Sequence, residues 1–288
     1  MTWLFRYLLK IWVRLTGCRI DPAAAPWLQG PEGQRDRIGA DFFERLARSH
    51  HWQINPHAGL LQRFSELEGR SLNTDEIDPQ VHSFYEHTAA YRLIIWPEWN
   101  PLVKPFASWF VRSYCRHAQQ FNLPLSVRDT CHGVSNRVIA LMDPASNQRR
   151  YAAWIRCNSR TDTPMYVSSF SAIAQIPGYP DPCIKVVFPI LQGSAIVFLG
   201  PTSKQGKLVL DSTGHRFGDL GLYVTQRDRK KRVRVTYARA FQEHLEVFVD
   251  PRGQLRGDHQ FKIGWFPILR LYYQFDRRSD WQDFSQSE

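Results

Sequence analysis

From residue 136 onward the chain is divided into short, β-branched apolar runs, with turn residues recurring about every ten positions. This spacing suits strands and hairpins and leaves no room for crossover helices. Eleven strands are expected: Arg137–Met142, Tyr151–Cys157, Met165–Ala172, Ile184–Phe188, Ala195–Leu199, Leu208–Leu210, Leu222–Thr225, Val233–Tyr237, Leu245–Val249, Gln260–Trp265 and Leu269–Phe275. Turn signals such as Gln192-Gly193, Lys204-Gln205-Gly206 and Asp250-Pro251-Arg252-Gly253 separate them. Connections this short imply antiparallel pairing. Ala195–Leu199 is apolar at every position and needs cover on both faces, whereas Val233, Val235 and Tyr237 alternate with polar residues and leave one face wet. So many strands in one sheet would curl. The expected fold is therefore α+β: an N-terminal helical region followed by a large antiparallel β-meander forming a closed or half-closed barrel.

The residues ahead of the strands have helical spacing. Phe42, Phe43, Leu46 and Ala47 form one apolar stripe, and Leu60, Leu61, Phe64 and Leu67 another. A third, Val81, Phe84, Tyr85, Thr88 and Tyr91, follows Asp78-Pro79, a helix-start pair. A longer helix is expected from Pro105, burying Phe106, Trp109, Phe110, Tyr114, His117 and Phe121. The expected division is an amphipathic basic helix at 1–19, a Pro/Gly/Ala-rich linker at 20–37, a helical region at 38–122 and a barrel-like region at 123–288 packed on the helices.

In the first segment Arg6, Lys10 and Arg14 recur every four residues, forming a basic stripe on a helix otherwise covered by apolar side chains, Trp3, Phe5 and Trp12 among them. Such a helix is roughly 20 Å long, short of the roughly 30 Å hydrocarbon core of a bilayer. It could lie in a membrane interface, or dock on the protein's own apolar surface. Leu15-Thr16-Gly17-Cys18 resembles a lipoprotein cleavage box, although Lys10 and Arg14 interrupt the apolar run that such a signal keeps uncharged.

The formal charge of +10 is unevenly placed: residues 1–145 carry 16 basic and 14 acidic side chains, residues 146–288 carry 21 and 13. The excess peaks between two expected strands, where Arg227, Arg229, Lys230, Lys231, Arg232 and Arg234 would form a cationic hairpin suited to headgroups or phosphates. A solvated, aggregation-resistant turn would look the same. No helix-turn-helix, zinc finger or RNP-like strand accompanies it, which ranks nucleic acid third among partners. The five cysteines contain no CxxC pair, which argues against zinc or a disulfide framework and for a reducing, cytoplasmic setting.

Reactive side chains collect in several places, none with a known catalytic motif. His82 and Glu86 share a helix face, as an acid–base pair or a plain surface pair would. His132 lies at the junction of the helical and β regions. Asp211, His215 and Arg216 belong to a Gly-rich loop, Asp211-Ser212-Thr213-Gly214-His215-Arg216. Glu243, Asp250, Asp258 and His259 lie on or beside late strands. Lys185 opens an apolar strand; if buried, its lowered pKa would suit Schiff-base chemistry. The candidate catalytic residues are thus His132, Lys185, Asp211 and His215, and the candidate ligand-binding residues Arg216, Asp258 and His259. No metal or cofactor is expected. The leading functional expectation is a binding protein held at an anionic membrane surface by its N-terminal helix, enclosing an apolar or lipid-like ligand in the barrel. The alternative is a small-molecule enzyme (hydrolase, lyase or decarboxylase) on the same barrel.

Overall fold

The computed structural model describes residues 2–33, 37–130, 133–227 and 232–278, with side chains from residue 7 onward. In chain order the first elements are α1 (Thr2–Thr16), β1 (Cys18–Ile20), α2 (Phe42–His50), β2 (Gln53–Asn55), α3 (Pro79–Glu86), β3 (Tyr91–Trp99) and α4 (Lys104–Phe110). The α4 helix continues through a π-helical turn, Val111–Cys115, into α5 (Arg116–Ala118). Eleven strands follow: β4 (Val134–Asp143), β5 (Gln148–Asn158), β6 (Pro164–Ile173), β7 (Cys183–Ile190), β8 (Gly193–Lys204), β9 (Lys207–Asp211), β10 (Gly221–Arg227), β11 (Val233–Tyr237), β12 (Phe241–Val249), β13 (Leu255–Ile263) and β14 (Phe266–Arg277). Each expected strand overlaps one of these, although β13 starts earlier, at Leu255, and the chain turns back at Gly264.

The closing strand lies outside the expected set. β3 pairs with β14 from Leu269↔Trp99 to Arg277↔Tyr91 and meets β4 at Leu93↔Val134. Its run carries Pro97 and follows a helical stripe, both of which obscure a strand signal. Tyr91, expected on that stripe, opens the strand, because α3 stops at Glu86. The ring β3-β4-β5-β6-β7-β8-β9-β12-β13-β14 thus forms a closed, ten-stranded antiparallel barrel. β8 makes the closure possible by dividing its partners: residues 200–204 pair with β9 and residues 193–198 with β10. β10, β11 and β1 extend the sheet beyond the ring.

Alternation sorts each strand into two faces. On β5, Ala152, Trp154 and Arg156 point inward, while Ala153, Ile155 and Cys157 face α2 and the 104–118 helix outside. One end of the interior is filled by the chain itself: Leu60, Phe64, Leu67, Val81 and Phe84 form a plug among the inward side chains of β3, β8, β9 and β12–β14. Its 59–61 segment lies so close to the end of α3 that a Cβ on Gly59 would sit 2.0 Å from the Glu86 carbonyl. His82 and Glu86 do not pair with each other but hold the plug. His82 Nε2 lies 3.0 Å from the Thr74 carbonyl, and Glu86 accepts from the Phe64 amide at 2.6 Å.

The described part of segment 20–37 is packed on the barrel's outer wall. Leu28 is buried with Val187, Ile196, Phe198 and Tyr223, and Glu32 receives both arms of the Arg227 guanidinium at 2.7 Å. The 104–118 helix buries Tyr114 as expected but not Phe106, Trp109 or His117. Ala107, Val111, Tyr114, Cys115 and Ala118 are buried, whereas Phe106, Trp109 and His117 face outward. The helix turns Val111, Tyr114, Cys115 and Ala118 toward the wall of β4–β6, across the π turn.

Phe84 is the keystone of the plug, its ring 4.3 Å from Phe275 and 5.3 Å from Tyr91. Truncation by F84A is expected to cost about 3–5 kcal/mol, read from the denaturant midpoint. A loss under ~1 kcal/mol would mean that the plug does not support the barrel.

Candidate functional site

Between the plug and the opposite end, the barrel interior carries a belt of polar side chains. Arg156 on β5 is 7% exposed. Its guanidinium lies between two rings, 4.2 Å from the centroid of Trp154 and 4.3 Å from that of Tyr166. Trp154 is fixed by donating Nε1–H to Asn136 Oδ1 at 2.5 Å, and the Asn136 amide donates to the Thr88 and Tyr91 carbonyls. Tyr273 on β14 lies across the interior, within electrostatic reach of the Arg156 charge. Next to it on β13 is His259, whose Nε2 lies 3.2 Å from Oε2 of Glu243 on β12. Glu243 is 9% exposed, and its amide donates to Ser212 Oγ at 2.7 Å.

Burial dominates the electrostatics of the belt. It holds the Tyr166 phenol well above its usual pKa; the Tyr273 and Glu243 charges add to the rise and the Arg156 charge opposes it. Tyr273 is raised for the same first reason, again against Arg156. Both phenols therefore remain neutral donors throughout the physiological range.

The end of the barrel opposite the plug is covered. Leu9 and the fully buried Val13 of α1 pack on Ile190, Ala195 and Val224, with Phe121, Phe188 and Leu222 bordering the same cluster. α1 also touches β11 and the 111–115 turn. It stops at Gly17, whose amide caps the Val13 carbonyl at 3.0 Å and where a Cβ would collide with that carbonyl. The loop after α5 crosses the mouth on the other side: Trp99 Nε1 donates to the Pro124 carbonyl and Thr130 Oγ1 to the Ile95 carbonyl. Asn100 ties the start of α4 to the β13–β14 hairpin through Ile268 and Pro267, at 3.0 and 2.9 Å.

The outer side of this cover is apolar. Of the twelve exposed large hydrophobic side chains among the described residues, nine belong to α1 (Tyr7, Leu8, Trp12, Leu15), the α4 region (Leu102, Phe106, Trp109) and the hairpin (Ile263, Trp265). Leu102 is 81% and Trp265 89% exposed. Beside the mouth lies a groove of about 850 Å³ whose four arginines (Arg37, Arg116, Arg128, Arg160) face Asp41, Asp129 and Asp162, a mixed-charge surface.

The expected site residues do not converge. His259 alone among them lies in the interior belt, with Glu243 from the same group of late-strand residues. Asp258, its neighbour, faces outward and is held by both arms of Arg270 at 2.8 and 2.5 Å. Asp211 lies on the outer wall, 3.1 Å from His244 Nδ1. His215 and Arg216 are in an exposed turn whose backbone amides bind Asp219. Lys185 is buried at 8% exposure, but on the outer wall, donating to the Gln29 carbonyl under segment 20–33. Its burial is thus as the catalytic reading required, but it faces away from the barrel interior. His132, Arg229, Lys230 and Lys231 lie outside the described residues, as do the side chains of Trp3, Phe5 and Arg6. Of the remaining expected surface residues, Trp12, Arg14 and Arg232 are exposed and Lys10 is half-buried.

Arg156, Tyr166 and Tyr273 escaped the sequence reading because each sits in an ordinary strand run. An arginine at an inward position beside tryptophan, in the run Tyr151–Cys157, was the available signal. Among the described residues no group of three His, Cys, Asp or Glu could hold a metal ion, and no helix is long and apolar enough to cross a membrane. The four described cysteines are free thiols; burial pushes Cys115 and Cys183 up to about 12, so neither is a nucleophile at neutral pH.

Two pH effects follow from the burial. Desolvation brings Lys185 down to about 8. A lysine depressed in the fold is penalised most below that value, and the penalty disappears as pH rises to the unfolded value of about 10.4. The wild type should therefore gain stability relative to K185M between pH 7 and 10, measured as the difference in denaturant midpoints; a constant difference would contradict the burial. Tyr166 and Tyr273 act in the opposite sense. Their stabilisation is complete below about 10 and is lost as pH rises through their raised folded values, so alkaline unfolding should coincide with a step in tyrosinate absorbance.

Compared with known proteins, the chain matches no family model, no curated protein and no solved structure.

Proposed function

We propose that this protein is a peripheral binding protein of the cytoplasm that meets an anionic membrane surface with its covered barrel mouth and carries an apolar, lipid-like ligand in the barrel. The observation that carries the reading is the concentration of exposed aromatic and aliphatic side chains on the three segments around the mouth. Water disfavours so much apolar surface in one place, and patches of this kind mark interaction sites. Tryptophan and tyrosine beside cations suit the headgroup boundary, where one end of the ring is apolar and the other wet.

The same segments supply the charge. Arg14, Lys104 and Arg112 are exposed and Lys10 and Lys262 half-buried, all on α1, the 104–118 helix or the β13–β14 hairpin. Each such cation near an anionic leaflet contributes about 1 kcal/mol. Docking on the protein and lying in an interface are compatible roles for α1, since Leu9 and Val13 face the barrel while Tyr7, Leu8, Trp12 and Leu15 face away.

Nucleic acid is less well supported. Of the cations in the basic hairpin, Arg227 is bound by Glu32, and Arg234 donates to the Arg14 and Gly17 carbonyls. A small-molecule enzyme on the same barrel would draw on His259 and Glu243; turnover abolished by H259N with the fold retained would favour it.

Co-sedimentation with vesicles of phosphatidylcholine, with and without phosphatidylserine, tests the membrane reading. The full chain should pellet with the anionic vesicles and be released by salt, and the triple variant F106S/W109S/W265S should bind about tenfold more weakly. Equal pelleting of the variant, or no pelleting of the wild type, would overturn it.

A further inference from the structure

We propose that the barrel's ligand is a single-chain amphiphile with a carboxylate head, and that Arg156 holds that head. The inference rests on the carrier reading above and names its ligand class. Arg156 is the most buried arginine among the described residues. Yet the well-paired arginines are elsewhere, nearer the surface: Arg150 with Asp143, Arg227 with Glu32 and Arg270 with Asp258. No carboxylate among the described residues forms an ion pair with Arg156, and its buried Nε has no hydrogen-bond partner.

A desolvated cation without a counter-charge is costly. Trp154 and Tyr166 cover the two faces of the guanidinium, and cation–π attraction offsets part of that cost. The rings leave its N–H groups unanswered, because all five donors lie in the guanidinium plane. The Tyr273 phenol across the interior is neutral and supplies no counter-charge. Glu243 is already engaged with His259. A planar carboxylate is the ligand group that complements such a fork, taking two parallel hydrogen bonds and the charge together.

The wall beside this anchor suits a single hydrocarbon chain. Tyr166 touches Phe188 and Phe121, at 6.0 and 6.2 Å between ring centroids, and Phe121 and Phe188 are 5.1 Å apart. Phe121, Phe188 and Leu222 also border the apolar seat of Leu9 and Val13. A continuous path of packed apolar side chains therefore leads from the Tyr166 ring beside the guanidinium to the underside of α1. Because only one edge of α1 is docked there, a membrane that takes up its outer side chains would also uncover the path.

Titration of the full chain with dodecanoate and with dodecanol, both below micelle formation, tests the assignment. Dodecanoate should bind at least ~10-fold more tightly, as one or two charge-assisted hydrogen bonds would give. R156Q should bring the ratio to about one without changing dodecanol affinity, while R252Q in the exposed β12–β13 turn leaves the ratio intact. Should R156Q fail to fold by circular dichroism, R156K takes its place and must lower the preference at least ~3-fold. A wild-type ratio near one, or a preference that survives at full size in the Arg156 variant, would overturn the head assignment and leave the carrier reading standing. Binding of neither probe would overturn both.

Discussion

A barrel of about eight strands can be filled by its own inward side chains, and two more strands widen it beyond what those side chains reach. Closure of this ten-stranded ring therefore depends on material from outside the sheet. The chain supplies it from residues 58–90, where α3 and the turns before it place Leu60, Phe64, Val81 and Phe84 inside one end. The strand that completes the ring, β3, follows the plug directly, so the same segment that fills the barrel also starts its closure. Ties such as Asp78 N–H to the Gly206 carbonyl and Arg149 to the carbonyls of Gly59 and Leu60 fasten the plug to the strand ends.

The plug fills one end only, and the remaining interior has a different character. There the inward positions bring together Arg156, Tyr273, His259 and Glu243, with aromatic rings between them and the mouth. Groups like these cost stability in a dry interior unless each finds a partner. Glu243 and His259 have each other; Arg156 has two aromatic rings and no carboxylate among the described residues. This unequal satisfaction, beneath a cover rich in exposed aromatics, is what makes the mouth end of the barrel the functional end of the molecule in our reading.

The β-half of the fold was legible because period-two alternation and turn chemistry are local properties, carried by runs such as Met165–Ala172 and Val233–Tyr237. β3 was not, since Pro97 and its helical neighbour mask a strand whose pairing with β14 spans most of the chain length. The 104–118 helix shows a related limit. Its largest side chains, Phe106 and Trp109, looked like core, yet the face that packs is the one carrying Ala107, Val111, Tyr114, Cys115 and Ala118. Within the site, residue type picked out His259 and Glu243, but it also picked out Asp258. Adjacent positions on a strand face opposite ways, and the register assigned His259 to the interior and Asp258 to Arg270 outside.

By itself, then, the sequence determined the α+β class, antiparallel pairing, the tendency of the sheet to close and the placement of charge and aromatics on the N-terminal helix. These follow from short-range periodicity and from residue chemistry. Tertiary structure alone decided which strand closes the ring, which segment fills it, which edge of α1 is docked and which arginine is buried without a carboxylate. Those outcomes depend on groups far apart in sequence meeting across the interior, as Arg156 on β5 meets Tyr273 on β14. No local pattern encodes such a meeting, because it arises only when the sheet curls and each inward side chain acquires neighbours from the opposite wall.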